Sequence, residues 1–212
     1  MRIVVLLFSL VVLLFSIIIH ECAHGLAAER RGDPTARMQG RITLNPIPHL
    51  DPIGSILLPG IMILMSLFGG SLFMFGWAKP IPINPYNLNN PKRDMMWIGL
   101  SGCAANFGIA LVLSLLARIL VTTTVSLGAV ILFFGVSINL ILAFFNLIPI
   151  PPLDGSKILT GILPERYAYT FSRIEPFGFI ILFILLLGGA LNFLFLGVAR
   201  LAAILTGMPF YF

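Results

Sequence analysis

Charged residues are scarce in this chain. Only 10% of its 212 residues are Asp, Glu, Lys or Arg, whereas 58% are hydrophobic and the mean hydropathy is +1.04. A soluble domain of this length could not bury so much apolar surface, so the composition excludes a soluble globular protein. We therefore expect an all-α polytopic membrane protein whose first partner is the lipid bilayer.

Cysteine is also scarce, because Cys22 and Cys103 are the only two and both fall within apolar segments. Such a pair predicts no disulfide framework, and we interpret Cys22 as a small packing residue. The chain also lacks a basic run interleaved with aromatic residues, which argues against a nucleic-acid partner. Its net charge of +5 instead reports membrane orientation and lipid head groups.

The apolar run 3–19 is not followed by a small-x-small cleavage site. We therefore expect it to remain as a membrane helix that continues to about Ala28. Further apolar segments are predicted over 95–117, 128–145 and 177–206, and we expect one membrane-embedded domain over 1–212 with a core at about 3–165. The pattern leaves open whether 177–206 is one helix or a hairpin.

The segment 53–76 is apolar but interrupted by proline and glycine, so it is predicted either to span or to re-enter the membrane. Before it, polar residues alternate with apolar ones or glycine, which predicts a short membrane-associated β-strand over 36–44. This strand and the extended limb Trp77–Pro85 could offer an edge on which an unwound peptide pairs. The alternative is that both pieces are ordinary loops covering the helix ends.

His20, Glu21 and His24 stand at the end of the first apolar run, where each is costly unless it has a partner. Residues four apart share one face of a helix, so both imidazoles can bind one metal ion, with Glu21 close enough to act on a metal-bound water. This is the H-E-x-x-H arrangement of zinc enzymes. Five residues fixed at three positions also recur by chance, and the alternative is a buried or interfacial ion pair.

A second carboxylate, Asp154, follows the helix 128–145 in a segment whose prolines forbid continued helix. It is a candidate third metal ligand. The alternative is an ordinary N-cap of a short helix over 155–163.

Three motifs in this order on successive apolar segments resemble the site-2 protease family of intramembrane zinc metalloproteases. They are His20-Glu21-x-x-His24, then Ser101-Gly102-x-x-Ala105-Asn106, then Asn146-x-x-Pro149-x-Pro151-x-Leu153-Asp154-Gly155. The resemblance covers roughly residues 10–165, and Leu44-Asn45-Pro46, Asp51-Pro52-Ile53-Gly54 and Gly76-Trp77-Ala78-Lys79-Pro80 are similar to the compact prokaryotic branch that lacks a PDZ domain. Cys103 departs from the family, which usually carries proline there.

The resemblance implies one Zn²⁺ held by His20, His24 and Asp154, with Glu21 as the general base. It also implies that Asn146 lies near the substrate backbone. Asn106 is a weaker candidate for substrate binding, since an amide inside a membrane helix more often bonds a neighbouring helix. His49 is interpreted as a loop residue. The alternative is that it touches the site from behind the metal ligands. The implied partner is a transmembrane or membrane-associated protein substrate.

Convergence of His20 and Asp154 on one metal requires the ends of helices 3–28 and 128–145 to face the same side. Residues 53–90 must then return to the side they left. In that topology one side carries ten Lys and Arg residues against Arg2 and Arg118 on the other, which predicts a cytoplasmic active site in a prokaryotic-type cell membrane.

Two other functions share some of these features. A transporter also has broken segments around intramembrane polar residues, but no inverted repeat is visible in the sequence. A non-proteolytic zinc scaffold is the second rival, and Glu21 speaks against it because a structural site needs no base.

Overall fold

The computed structural model describes residues 2–57, 60, 61, 64, 78–121 and 127–208. Within these residues all regular secondary structure is helical. The α-helices in chain order are α1 (Arg2–Glu29), α2 (Thr35–Met38), α3 (Pro91–Val121), α4 (Leu127–Asn146), α5 (Asp154–Ile162), α6 (Glu165–Ser172), α7 (Gly178–Leu187) and α8 (Asn192–Thr206). Shorter helical turns occupy Ile47–His49, Pro52–Leu57, Pro85–Asn87 and Glu175–Phe177.

Four helical stretches are long and apolar enough to cross a membrane: Phe8–Glu29, Pro91–Leu120, Gly128–Asn146 and Glu165–Leu187. This finding fits the expected multi-pass membrane protein. The predicted helix boundaries over 95–117 and 128–145 agree with α3 and α4 to within a few residues.

Helix α3 is the centre of the bundle, because α1, α4, α5 and α8 all pack against it. Its small residues allow the neighbouring helices to approach closely. Such close packing matters in a membrane, because lipid provides no hydrophobic force that drives helices together. Ala110 is completely buried against Val136 and Leu140 of α4 and Val198 and Ala202 of α8.

The C-terminal segment is two helices, α7 and α8, separated by a turn at 188–191 where Gly189 has a φ of +71°. A Cβ placed on Gly178, where α7 begins, would lie 2.0 Å from the carbonyl oxygen of Pro151. At the other end, Arg118 near the end of α3 donates to the carbonyls of Ile204 and Leu205, at 2.7 and 2.6 Å. Since Pro151 and Arg118 lie at opposite ends of the bundle, 178–206 makes one broken crossing and not a hairpin.

The strand predicted over 36–44 is wrong, because Thr35–Met38 is a turn of α-helix. That turn ends in a Schellman motif: Gly40 has a φ of +65°, its N–H donates to Arg37 O, and the N–H of Arg41 donates to Ala36 O. The alternation of polar residues therefore reflects a capped helical turn, and glycine at the capping position was the contrary signal.

The predicted spanning or re-entrant segment 53–76 lies mostly outside the described residues. The part that the structure describes includes the π-helical turn Pro52–Leu57. Residues 78–83 then form an extended limb without regular structure.

A buried carboxylate fastens the end of this limb to the loop after α1. Asp33 is fully buried, and its Oδ2 accepts the N–H of Asn84 at 2.7 Å. Its Oδ1 accepts the N–H of Thr35 at 3.1 Å and the side-chain amide of Asn87 at 3.0 Å, as well as the hydroxyl of Thr35. We call this group the Asp33 clamp. It holds the limb over the end of α1 that carries His20 and His24.

Candidate metal centre

His20 and His24 lie on one face of α1 and are both buried, at 6% and 4% exposure. Their rings meet edge to face with centroids 4.5 Å apart. This is the placement that their four-residue spacing predicted. His20 is nine residues before the end of α1, or about 14 Å along its axis, so the pair lies within a candidate membrane span.

A backbone carbonyl of α3 orients His24. Its Nδ1 lies 2.7 Å from the carbonyl oxygen of Ile98, which also accepts the hydroxyl of Ser101 at 2.6 Å. Because a carbonyl can only accept, Nδ1 carries the proton and Nε2 keeps its lone pair for a metal. The Nδ1 of His20 is buried and has no hydrogen-bond partner among the residues that the structure describes.

Asp154 joins the two histidines from the other half of the chain. It is the first residue of α5, and its Oδ2 lies 3.0 Å from the Nε2 of His20 and 3.0 Å from the Nε2 of His24. Its Oδ1 lies 2.8 Å from the Nζ of Lys157. Both oxygens of Asp154 thus contact other side chains, and Asp154 does not cap the start of α5.

The return from α4 to Asp154 depends on a glycine. The backbone turns through 147–153, as the prolines predicted, and brings Gly155 onto the last residues of the preceding segment. A Cβ on Gly155 would lie 2.3 Å from the carbonyl oxygen of Leu147 and 2.4 Å from that of Ile148. No side chain fits this approach, so glycine after Asp154 is required to place the carboxylate.

Gly102 leaves the space in which the ligands meet. A Cβ there would lie 2.5 Å from Cε1 of His24 and 2.7 Å from both Cε1 and Nε2 of His20. Any larger residue at this position of α3 would displace the imidazoles.

Glu21 points toward the extended limb instead of toward Asp154. Its Oε2 accepts the backbone N–H of Ile81 at 2.8 Å. The limb is held there by Arg41, whose Nη2 donates to the carbonyls of Lys79 and Pro80 at 2.8 and 3.2 Å. The N–H of Lys79 also donates to the carbonyl of His49 at 2.9 Å. Within this stretch the N–H and carbonyl of Lys79, the carbonyl of Pro80 and the N–H of Ile81 thus bond groups of the protein itself.

The converging atoms suit zinc in number, type and spacing. Side-chain atoms of His20, Glu21 and His24 lie within 4.8 Å of one another. A tetrahedral zinc site with bonds of about 2.0–2.1 Å sets its ligand atoms roughly 3.3 Å apart, close to the 3.0 Å found between Asp154 and each histidine. Two imidazoles and a carboxylate are also a ligand set that catalytic zinc uses.

The remaining sequence candidates lie elsewhere in the site or outside it. Asn146, the last residue of α4, donates its amide to Leu142 O of its own helix at 2.9 Å. Asn106 is completely buried, and within the described part of the chain neither atom of its amide has a hydrogen-bond partner. His49 is a buried residue of the loop: its Nε2 lies 2.9 Å from the carbonyl of Thr43, and its own carbonyl accepts the N–H of Lys79 in the limb. Cys22 and Cys103 are both buried free thiols.

Sequence reasoning missed three contributors, namely Arg41, Lys157 and the carbonyl of Ile98. The sequence pattern places Arg41 in the predicted strand, and it counts Lys157 only among the ten Lys and Arg residues that predict membrane orientation. A backbone carbonyl carries no sequence signal. The i,i+3 spacing of Asp154 and Lys157 was the one available signal.

Known proteins resemble the chain as follows. Residues 122–189 match the family model described as peptidase family M50. The chain is 34% identical over 189 residues to "Putative zinc metalloprotease YwhC" of Bacillus subtilis, which covers 84% of this chain and 79% of the relative. It is 27% identical over 201 residues to "Putative zinc metalloprotease Rip2" of Mycobacterium tuberculosis, covering 92% and 72%. No solved structure gives a significant match.

Proposed function

The chain belongs to peptidase family M50, the site-2 protease family, and is a zinc metalloprotease; from this premise we propose that it cleaves peptide bonds within or near transmembrane segments of other proteins. The observation that supports this most is that His24 and Asp154 meet His20, which lies about 14 Å from the end of a candidate membrane span. A hydrolytic site at that depth serves a substrate that is itself in the membrane.

One zinc per chain is held by His20, His24 and Asp154 in this proposal. Bound zinc lowers the pKa of a water molecule and polarises the carbonyl of a peptide. Ile98 fixes the tautomer of His24 through its carbonyl, and Gly102 leaves both imidazoles room to point at one centre.

Glu21 moves the proton. Its carboxylate is the base that accepts a proton from the attacking water at one Oε atom, and it can return that proton to the nitrogen of the departing amine. The N–H of Ile81 holds the other oxygen, Oε2, so the carboxylate keeps its orientation through the reaction. Arg41 acts on Glu21 only through the limb, which makes it a positioning residue.

The substrate reaches this site as an unwound chain. A helical substrate hides its carbonyls in its own hydrogen bonds, and no water in the bilayer core compensates for their loss. Asn146 at the end of α4 is the proposed contact for the unwound backbone, with Asn106 as a weaker second. The proposed orientation places the active site toward the cytoplasm of a prokaryotic-type cell, as the distribution of Lys and Arg predicts.

Metal analysis tests the proposal directly. We expect one zinc per purified wild-type chain and a marked loss in His20→Ala and Asp154→Ala. The chain has three histidines, so His49→Ala is a matched control that should keep its zinc. Wild-type protein without zinc, or unchanged zinc in either ligand variant with its fold intact, would contradict the ligand assignment.

A further inference from the structure

Lys157 makes a contact that the proposed reaction does not use. Its Nζ lies 2.8 Å from Oδ1 of Asp154, three residues earlier on the same face of α5. The side chain of Asp154 is only 6% exposed, whereas that of Lys157 is 34% exposed. The side chain of Lys157 therefore extends from the surface and places its ammonium against a buried carboxylate, while its apolar stem can pack on apolar surface.

The two oxygens of Asp154 have different partners. Oδ2 faces the Nε2 atoms of both histidines at 3.0 Å, and Oδ1 faces only the ammonium of Lys157 among the described contacts. An ion pair exposed to solvent contributes little to stability. Here the carboxylate is buried and, in the part that the structure describes, its two oxygens share no partner. Oδ2 is directed to the candidate metal centre, whereas Lys157 holds Oδ1 away from it.

We propose that Lys157 is a positioning residue that makes Asp154 a metal ligand through one oxygen only. This inference rests on the proposed function, since it assigns a geometry to the same ligand. A carboxylate that binds through both oxygens occupies two coordination positions. With two imidazoles and a water molecule also bound, it would make the metal five-coordinate and fill the position that a substrate carbonyl needs. Lys157 thereby keeps that position open.

Replacement of zinc by Co²⁺ measures this directly. Geometry is diagnostic for such metals, and four-coordinate cobalt absorbs visible light more strongly than five-coordinate cobalt. Lys157→Met keeps most of the stem and removes the ammonium, which frees Oδ1 of Asp154. We expect weaker visible absorption per bound cobalt in Lys157→Met, together with a loss of about 10- to 100-fold in the activity of the zinc form.

Two variants serve as controls. Lys157→Arg keeps a cation that can donate to Oδ1, so its cobalt spectrum should match that of wild type. Lys92→Met makes the same substitution at a lysine that bonds the carbonyl of Leu163, away from the ligands, and should also leave the spectrum unchanged.

The outcomes separate this inference from the proposed function. A wild-type chain that binds no cobalt would refute the metal site itself. A wild-type chain that binds one cobalt, with an unchanged spectrum in Lys157→Met, would refute only the role of Lys157. Loss of all cobalt from a folded Lys157→Met would also overturn it, because the residue would then hold the metal instead of setting how Asp154 binds it.

Discussion

Glu21 is bonded differently from the histidines on either side of it. His20 and His24 face Asp154, while the carboxylate of Glu21 receives a backbone N–H from the limb. We propose that this separate partner keeps Glu21 out of the ligand set, so that its carboxylate can exchange protons as a general base.

Glu21→Gln should abolish most of the activity without loss of metal. Glutamine keeps the size of the side chain and an oxygen for the N–H of Ile81, but it cannot accept a proton from water. Loss of a positioned base costs on the order of a hundredfold to ten-thousandfold in rate. The measurement is cleavage of a helix-destabilised transmembrane substrate at matched zinc content.

Glu29→Gln is the matched control, since it makes the same change on the same helix. Glu29 pairs with Arg37 in a partly exposed ion pair, which contributes little. Activity of Glu21→Gln within a few-fold of this control would remove Glu21 from the mechanism.

At the scale of residues, the sequence predicted what spacing dictates and missed what only folding brings together. The spacing of His20 and His24 is a property of one helix and could be predicted. Asp154 lies 134 residues from His20, and its assignment came from family resemblance. The carbonyl of Ile98 could not be foreseen, because a backbone acceptor has no identity in the sequence.

Among the elements, the limb over 78–83 depends on the Asp33 clamp. Burial raises the pKa of Asp33, but hydrogen bonds from Thr35, Asn87 and the N–H of Asn84 outweigh it, so the pKa is lowered. A carboxyl whose pKa is lowered by folding contributes stability above its unfolded pKa of about 3.9. That contribution is lost as the pH falls through the lower folded value.

Asp33→Asn should therefore destabilise the protein at neutral pH, by about 2 kcal/mol. The side-chain NH₂ of asparagine would face N–H or O–H donors that the carboxylate of Asp33 accepts in the wild type. The difference from wild type should stay constant above about pH 5 and shrink at lower pH, as wild-type Asp33 takes up a proton. Thermal unfolding in detergent between pH 3 and pH 7 measures both effects.

Glu165→Gln, a carboxylate-to-amide change at an exposed residue, is the control and should unfold like wild type. Equal unfolding temperatures for Asp33→Asn and this control at neutral pH would show that the clamp adds nothing.

The long helices were predictable and the connections were not, for a physical reason. Apolar runs of membrane length report themselves in the sequence. The segment 36–44 carries an alternation of strand type, but its hydrogen bonds are satisfied by the turn of α2 and its Schellman cap. The break at 188–191 falls at Gly188 and Gly189, which hydropathy alone does not mark as a turn.

Viewed as a whole, the molecule has a metal side and an opposite side. α1 and α4 both end on the metal side, since His20 and Asp154 meet there. α3 runs away from it, and α8 ends beside Arg118 at the far end of α3. The final broken crossing therefore brings residue 208 to the side opposite the metal centre.

Single-cysteine labelling tests this topology in a chain without Cys22 and Cys103. Tyr86, which is 97% exposed on the metal side, becomes cysteine in one variant, and Met208 becomes cysteine in another. With the metal side in the cytoplasm, an impermeant reagent outside the cell should label Met208→Cys and not Tyr86→Cys. Labelling of both from the same side would contradict the single crossing, and the reverse pattern would invert the orientation.

The 134 residues between His20 and Asp154 also separate their synthesis in time. At typical translation speeds of about 5–20 residues per second, roughly 7–27 s pass after the first ligands emerge before the third exists. Throughout that interval the nascent chain carries Glu21 and two imidazoles but lacks Asp154. With the proposed ligand set, the protease becomes competent only after α1 to α4 have been synthesised.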